Sequence, residues 1–177
     1  DALVAAMEES LPSWRRYLAA KARLLGVGSC AFFDLFAPVG GDLGRFTFAQ
    51  ARELVAERFA AFDPSMAAFA ERAFDERWID AEPRPGKVGG AYCIDFPEAR
   101  ASRVFCNFDG SFGSVSTVAH ELGHAWHGEM VRDRPYVCGR YPMTLAETAS
   151  IFAETIVFEG ALEAAGTSEA AAPRRIA

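Results

Sequence analysis

The three histidines of the chain fall within eight residues of one another, at positions 120, 124 and 127. His120, Glu121 and His124 form the pattern HExxH. On an α-helix, residues four apart lie about 40° apart around the axis and one turn apart along it, so His120 and His124 can present their imidazoles to one ion. Zinc is the expected metal for this pair. Glu121 projects from the neighbouring part of that surface and is a candidate general base.

The HExxH pattern also arises by chance in helices, so its surroundings matter. A helix is predicted here because apolar residues recur at spacings of three and four. This stripe comprises Val115, Val118, Ala119, Leu122, Ala125 and Trp126. Ser114 or Ser116 is expected to cap the start of the helix. Gly123 costs roughly 1 kcal/mol of helix propensity relative to alanine; we expect a close backbone approach there, with an incidental glycine as the alternative.

A tetrahedral catalytic zinc ion needs a third protein ligand and one position for water. His127 is the nearest nominee, but it lies nearly two turns from His120 along the helix, which is too far for an ion bound between His120 and His124. The longer pattern HExxHxxGxxH, with a third histidine ten residues after the first, is absent from the sequence. We therefore predict a packing or supporting role for His127.

Glu147 is the preferred third ligand. It lies 27 residues after His120, in a predicted second helix rich in leucine, isoleucine, phenylalanine and alanine, with Glu154 on the same face. Acidic side chains on an apolar helix are costly to bury unless they are paired or bind a metal. Glu154 could then hydrogen-bond a zinc-bound histidine. The alternative is that Glu147, Glu154 and Glu159 form a solvated stripe.

Several runs of residues together resemble the M3 metallopeptidases, particularly the oligoendopeptidase F branch. They are residues 78–80, 86–92, 106–108, 117–127, 135–142 and 145–150, in that order along the chain. The resemblance extends over roughly residues 17–162. The order of these runs makes it far more specific than HExxH alone.

This resemblance implies a zinc-dependent endopeptidase that hydrolyses short peptides. His120, His124 and Glu147 would correspond to the ligands of one zinc ion, and Glu121 to the catalytic base. Members of the family are several times longer than this chain, and their C-terminal segment carries tyrosine and histidine residues that act on the substrate. The tail, residues 166–177, has neither residue type. We therefore expect a single catalytic-core domain, residues 1–177, from a longer peptidase.

The predicted fold is mainly α with a small antiparallel β element, and in it the HExxH helix packs against the second helix that carries the third ligand. Helix signals also occur upstream. They are Pro12 as a helix start and Gly26 as its end, a capping box of Thr47 and Gln50, and a new start at Asp63 and Pro64. Asp34, an acid among aromatic residues, is expected to have a structural hydrogen-bonding role.

A short hairpin is predicted just before the HExxH helix. Residues 91–96 and 103–108 alternate enough for two strands, and glycine and proline residues flank them. Such a hairpin offers an edge to which an extended peptide can add. Residues 86–90 are interpreted as an ordinary loop, because they lack the full phosphate-binding signature. Tyr136 and Tyr141 follow the HExxH helix and could contact a substrate.

Composition excludes several functions. The chain has 177 residues, of which 51% are hydrophobic and 24% charged, as in one globular domain. A net charge of −6 argues against nucleic acid or an anionic membrane as a partner. No apolar run approaches the ~20 residues that span a bilayer. The four cysteines have no CxxC spacing and indicate buried thiols in the cytoplasm, with two disulfide bridges as the alternative.

Three functions stay open at this level. The preferred hypothesis is a zinc-dependent endopeptidase core that acts on short peptides. The second is a helical zinc-binding fragment without turnover, since the lobes that bind substrate in the family are absent. The third is a metal-free interaction module that keeps only the helix pattern. The sequence carries no signal for an oligomeric state.

Overall fold

The computed structural model describes residues 2–37, 39 and 44–166. They belong to two compact units, one made of residues 2–37, 39 and 164–166 and the other of residues 44–163. The elements are α1 (Ala2–Leu25), α2 (Phe48–Phe62), α3 (Pro64–Asp75), β1 (Ile79–Asp80), β2 (Tyr92–Phe96), β3 (Ala101–Phe105), α4 (Phe112–Val131), α5 (Met143–Ala146) and α6 (Thr148–Gly166). Short 3₁₀ turns occupy Phe32–Asp34, Pro97–Ala99 and Tyr136–Gly139. The prediction of a mainly α fold with a small β element is confirmed. No helix among the described residues is long and apolar enough to cross a membrane.

The first unit is built on α1, which begins at Ala2 and contains Pro12 in its interior. The prediction that Pro12 opens this helix is wrong, because the residues before it are mostly alanine, leucine, methionine and glutamate, which are strong helix formers. The helix ends as predicted, since Gly26 has a φ of +70°, the left-handed conformation that suits glycine after a helix. Asp34 has a structural contact, because its carboxylate accepts a hydrogen bond from the Ala31 amide at 2.8 Å.

In the second unit, α2 and α3 start at the predicted signals. Thr47 and Gln50 form the capping box: the Thr47 amide donates to Gln50 Oε1 at 2.8 Å, and the Gln50 amide donates to Thr47 Oγ1 at 3.2 Å. Asp63 caps α3, since its Oδ1 accepts a hydrogen bond from the Ser65 amide at 2.6 Å. These caps satisfy amides that have no partner within the helices. Local sequence therefore sets where both helices begin.

The core of the second unit joins α2, α3, α4 and the sheet. Its completely buried large side chains include Val55, Phe59, Met66, Val115, Val118 and Leu122. Phe69 of α3 links two tryptophans, with its ring centroid 5.7 Å from that of Trp78 and 5.3 Å from that of Trp126. The predicted apolar stripe of α4 thus faces the core. His120 and His124 are left partly exposed at the edge of this core.

The sheet has the strand order β1-β3-β2 and is mixed. The predicted hairpin is present, with β2 antiparallel to β3 and Tyr92 opposite Phe105. The additional strand, β1, runs parallel to β3. It could not be predicted, because two residues are too few to show a period and its pairing partners lie far away in the sequence. β2 lies at an edge of this sheet, next to α4.

The cysteines are free. Cys106 is buried and Cys30 and Cys93 are partly buried, but Cys138 is exposed. The prediction of buried thiols is therefore wrong for Cys138, which lies in a 3₁₀ turn at the surface rather than on a core-facing element. Burial raises the pKa of Cys93 to about 12 and that of Cys106 to about 11, so both thiols stay protonated at neutral pH.

Lys87 belongs to the loop between β1 and β2, and its buried ammonium donates hydrogen bonds to three backbone carbonyl oxygens. Its side chain is 1% exposed, and its Nζ donates to the carbonyl oxygens of Asp80 at 2.9 Å, Glu82 at 3.1 Å and Cys106 at 2.6 Å. The ammonium also lies 4.6 Å from the centre of the Phe105 ring. Because all of these partners belong to the protein, the lysine of this glycine-rich loop has a structural role.

Replacing Lys87 with methionine keeps the length of the side chain but removes the donor. We expect a loss of about 2–4 kcal/mol in the free energy of unfolding, because the carbonyl oxygens of Asp80, Glu82 and Cys106 lose the buried ammonium that donates to them. Urea unfolding followed by circular dichroism measures this. The control is Arg84→Met, since Arg84 pairs with the same Asp80 but is half-exposed. Equal losses in the two variants would contradict a special role for the buried ammonium.

Gly123 brings α4 and α6 into backbone contact. A Cβ atom at this position would lie 2.6 Å from the Ala149 carbonyl oxygen, 2.7 Å from Ser150 Cα and 2.8 Å from Ala153 Cβ. Atoms of these types do not approach so closely, so no larger residue fits without moving one of the helices. The close backbone approach predicted for Gly123 is confirmed, and it sets how near the residues of α6 come to those of α4.

Gly123→Ala should therefore destabilise the chain although alanine favours helices. We expect the free energy of unfolding to fall by about 1–3 kcal/mol, the usual cost of overpacking. Gly113→Ala is the matched control, because a Cβ there would meet only Ser111 Oγ at 3.6 Å; it lies in the first turn of α4, and its stability should stay within about 0.5 kcal/mol of the wild type. Urea unfolding compares the two variants, and a stabilised Gly123→Ala would contradict the close contact.

Candidate metal centre

The start of α4 is set by a serine, though not by either predicted one. Ser111 is the cap, and its Oγ accepts a hydrogen bond from the Ser114 amide at 3.1 Å. The prediction of Ser114 or Ser116 is wrong because the helix already begins at Phe112. Ser116 instead lies inside the helix, where its hydroxyl donates to Glu154 Oε1 at 3.0 Å. The added turn gives α4 a longer rigid segment before the first histidine.

The three predicted metal ligands lie together. His120 Nε2 is 3.2 Å and His124 Nε2 is 3.3 Å from the same oxygen, Glu147 Oε2. One ligand-type atom from each of these residues lies within 4.8 Å of the others. Two imidazoles and one carboxylate are a donor set typical of catalytic zinc sites, whose fourth position holds water or substrate. The residues thus fit a zinc ion, whose binding stays a prediction.

Glu147 lies at the turn between α5 and α6 rather than inside a helix as predicted. Its carbonyl oxygen accepts a hydrogen bond from the Ile151 amide at 2.9 Å, so it occupies the N-terminal cap position of α6. The carboxylate accepts a hydrogen bond from Ser150 Oγ at 2.7 Å. This bond, together with the two histidines, holds the pKa of Glu147 below its usual value. A helix N-terminus also favours negative charge, so Glu147 stays ionised as a ligand must.

Glu154 contacts His120 on the Nδ1 side of its ring, opposite the Nε2 that faces Glu147. Its Oε2 lies 3.2 Å from His120 Nδ1, and its Oε1 accepts the hydrogen bond from Ser116. A carboxylate beside Nδ1 favours the tautomer that carries the proton there, which leaves Nε2 free to bind a metal. The contact foreseen between Glu154 and a histidine of the pair is therefore present.

Glu121 is the most buried acid of the group, with 5% of its surface exposed. Its Oε2 is buried without a hydrogen-bond partner among the described residues. Burial, with a smaller contribution from the negative charge of Glu147, raises the pKa of Glu121 to about 7. A carboxyl group with this pKa can both accept and release a proton near neutral pH. The general base predicted from sequence thus has a suitable environment.

A cleft of about 530 Å³ between β2 and α4 is lined by His120, Glu121, His124 and Glu147. The volume is within the range of small-molecule and peptide pockets. Tyr136 and Tyr141 line its wall, as do Arg132 and Arg134 near the end of α4. The Tyr136 hydroxyl accepts a hydrogen bond from Arg140 at 2.9 Å. Both tyrosines therefore lie beside the space where a substrate would bind.

His127 lies apart from the ligand group. Its ring stacks on Tyr141, with centroids 4.4 Å apart and planes inclined by 19°. This contact agrees with the packing role expected for it, and it fixes the loop after α4 against the helix. Its Nδ1 is buried without a hydrogen-bond partner among the described residues.

Two supporting interactions of the site were not predicted from the sequence. Ser150 is completely buried and donates to Glu147, and only the spacing of three residues could have indicated it. Asp95 Oδ1 lies 3.2 Å from Arg132 Nη2 and accepts a hydrogen bond from Ser102 Oγ at 3.1 Å. This second contact joins β2 to the end of α4 across a long stretch of sequence, so no local pattern indicates it.

The family model and the most similar curated proteins all point to one peptidase family. The model of Peptidase family M3 matches residues 49–171. Oligoendopeptidase F (chromosomal) of Lactococcus lactis subsp. cremoris is 32% identical over 164 residues, which are 92% of this chain and 27% of that protein. Oligopeptidase PepF of Bacillus subtilis is 27% identical over 161 residues, 90% of this chain and 24% of the relative. The chain spans about a quarter of the length of these curated relatives.

Solved structures agree with this result. The crystal structure of a putative peptidase from Chlamydophila abortus is 26% identical with a TM-score of 0.70, and the match covers 88% of this chain and 26% of that one. A putative oligoendopeptidase F from Bacillus anthracis has the same fold, with a TM-score of 0.72 at 20% identity over 93% of this chain and 35% of that one. With the family model matching more than half of its residues, the chain belongs to peptidase family M3.

Proposed function

We propose that the chain is the catalytic core of a zinc-dependent endopeptidase that hydrolyses short peptides. The observation that carries this proposal is the meeting of His120 Nε2, His124 Nε2 and Glu147 Oε2 beside the buried carboxyl of Glu121. The family and the names of the relatives, oligoendopeptidase and oligopeptidase, support peptides as the substrate class. The proposed location is the cytoplasm, where free thiols such as those of this chain stay reduced.

In the proposed mechanism, His120, His124 and Glu147 would hold one zinc ion. When bound, the ion supplies Lewis-acid polarisation of the peptide carbonyl and lowers the pKa of water. Glu121 accepts a proton from the water that attacks the scissile carbonyl and then donates it to the leaving nitrogen. Its pKa of about 7 suits both transfers. Glu154 keeps His120 in the tautomer that ligation requires.

Glu121→Gln separates catalysis from metal binding. We expect this variant to bind one zinc ion per chain, as the wild type does, and to cleave a quenched peptide at least ~100-fold more slowly, because the amide cannot accept the proton. His124→Ala should lose zinc as well as cleavage, because a ligand is removed. Zinc content by atomic spectroscopy and peptide cleavage by fluorescence provide the two measurements.

The same measurements distinguish the competing functions. Equal cleavage rates for Glu121→Gln and the wild type would show that Glu121 is not the base. A wild type that binds one zinc ion but cleaves no peptide would be the non-catalytic zinc-binding fragment. A wild type that binds no zinc at neutral pH would be the metal-free interaction module.

Glu154→Gln tests the support of the first ligand. The amide still accepts a hydrogen bond but without the charge, so we expect the affinity for zinc to fall by about tenfold, a typical effect of changing the partner of a ligating histidine. Competition with a chromophoric chelator measures the affinity. Glu159→Gln is the matched control, because it makes the same change of charge at an exposed position of α6. Similar affinities in the two variants would contradict the supporting role of Glu154.

A further inference from the structure

We infer that Arg134 forms a carboxylate-binding subsite at the end of the cleft that lies away from the metal centre. In this subsite the guanidinium binds an acidic group of the peptide, about three residues from the bond that is cleaved. The inference rests on the proposed peptidase function and adds a preference among peptides to it. The carboxylate can come from an aspartate or glutamate side chain or from the C-terminus of the peptide.

The cleft leads from the metal centre to Arg134. Ala91 and His120 line one end of the cleft. At the other end, Asp95 of β2 lies within hydrogen-bond distance of Arg132. α4 rises about 1.5 Å per residue, so its last residue, Val131, lies about 10 Å beyond His124 along the axis. An extended peptide covers this distance in about three residues, at about 3.3 Å each. A substrate in the cleft therefore reaches Arg134.

The arginines near Arg134 already bind carboxylates of the protein. Their pairs are Arg72 with Glu129 at 2.9 Å, Arg100 with Asp133 at 2.9 Å, and Arg132 with Glu129 and with Asp95. Arg132 is also almost fully buried, with 4% of its side chain exposed. Arg134 is exposed, as Arg72 and Arg100 are, but it differs from all three because its guanidinium has no ion-pair or hydrogen-bond partner in the part of the chain that the structure describes.

Arg134 has the chemistry that a carboxylate subsite requires. A guanidinium is always charged and presents a planar fork of donors that matches both oxygens of a carboxylate. Binding a peptide there does not require breaking an existing ion pair, in contrast to Arg132. Because the position is open to solvent, the preference is moderate, and we expect it to be about fivefold.

A single-glutamate scan tests the subsite by cleavage. The peptides have one sequence with one scissile bond, and a glutamate, glutamine or lysine stands at successive positions around it. A second series compares a free with an amidated C-terminus at the same distances. The zinc-loaded wild type should favour the carboxylate about fivefold in kcat/KM at about three residues from the bond. Arg134→Gln should abolish this preference, and Arg134→Glu should reverse it towards lysine.

Arg77→Gln is the matched control. It removes the same charge from an exposed arginine beside Trp78, outside the cleft, and should keep both the rate and the preference of the wild type. A glutamate preference that survives Arg134→Gln, or a wild type that cleaves with no preference for a carboxylate in either series, would overturn the inference.

Binding separates this inference from the proposed function. In the Glu121→Gln background, which is expected to bind peptides without cutting them, fluorescence anisotropy gives the affinities for the glutamate and glutamine peptides. The affinity ratio should be about fivefold and should fall to one when Arg134→Gln is added. A ratio of one in both backgrounds would overturn the subsite, whatever the cleavage result. A wild type that shows the expected ratio but no cleavage would refute the peptidase proposal alone.

Discussion

The contact between α4 and α6 at Gly123 is the constraint on which the candidate metal centre depends. The histidines lie on α4, whereas Glu147 and Glu154 belong to the start and the first turns of α6. A Cβ at position 123 would lie 2.6 Å from a backbone oxygen of α6, so the two helices are as close as backbone packing permits. Because position 123 carries a hydrogen atom in place of a methyl group, the Glu147 carboxylate comes to 3.2 Å from His120 Nε2 and 3.3 Å from His124 Nε2. The glycine, unfavourable within a helix, is compensated by this approach.

Three carboxylates surround two imidazoles at this contact, and their environments differ. Ser150 and the histidines stabilise the charge of Glu147, and Ser116 donates to Glu154. Glu121 has no such donor on its buried oxygen, and its pKa is raised to about 7 by burial. When acidic groups in one site have different pKa values, they typically have different functions: the group with the lower pKa stays charged, and the group with the higher pKa can exchange a proton. Burying Glu121 costs stability, which the apolar face of the same helix offsets.

The same helix, α4, also joins the candidate metal centre to the rest of the cleft. Near its C-terminal end the arginines and acids form pairs, such as Arg132 with Asp95, which attach the edge strand β2 to α4. The walls of the cleft are thus held at both ends, by Gly123 against α6 and by ion pairs against β2. Arg134 remains available for a ligand because its neighbours use the nearby carboxylates. The proposed preference for acidic groups follows from this distribution of charges.

Local patterns in the sequence were enough for much of the fold and for the identity of the candidate ligands. The capping box of α2, the cap of α3, the stripe of α4, the hairpin and the HExxH spacing all act over a few residues, where periodicity and hydrogen bonding are decided by the chain itself. Glu147 could be predicted as the third ligand because an acidic side chain in an apolar segment is costly to bury unless it is paired or binds a metal. Other features depended on packing between distant segments: the parallel strand β1, the contact of Ser116 with Glu154, and the pair of Asp95 with Arg132. Only the tertiary structure decided these, because the partners meet across many residues and no local period encodes their distance.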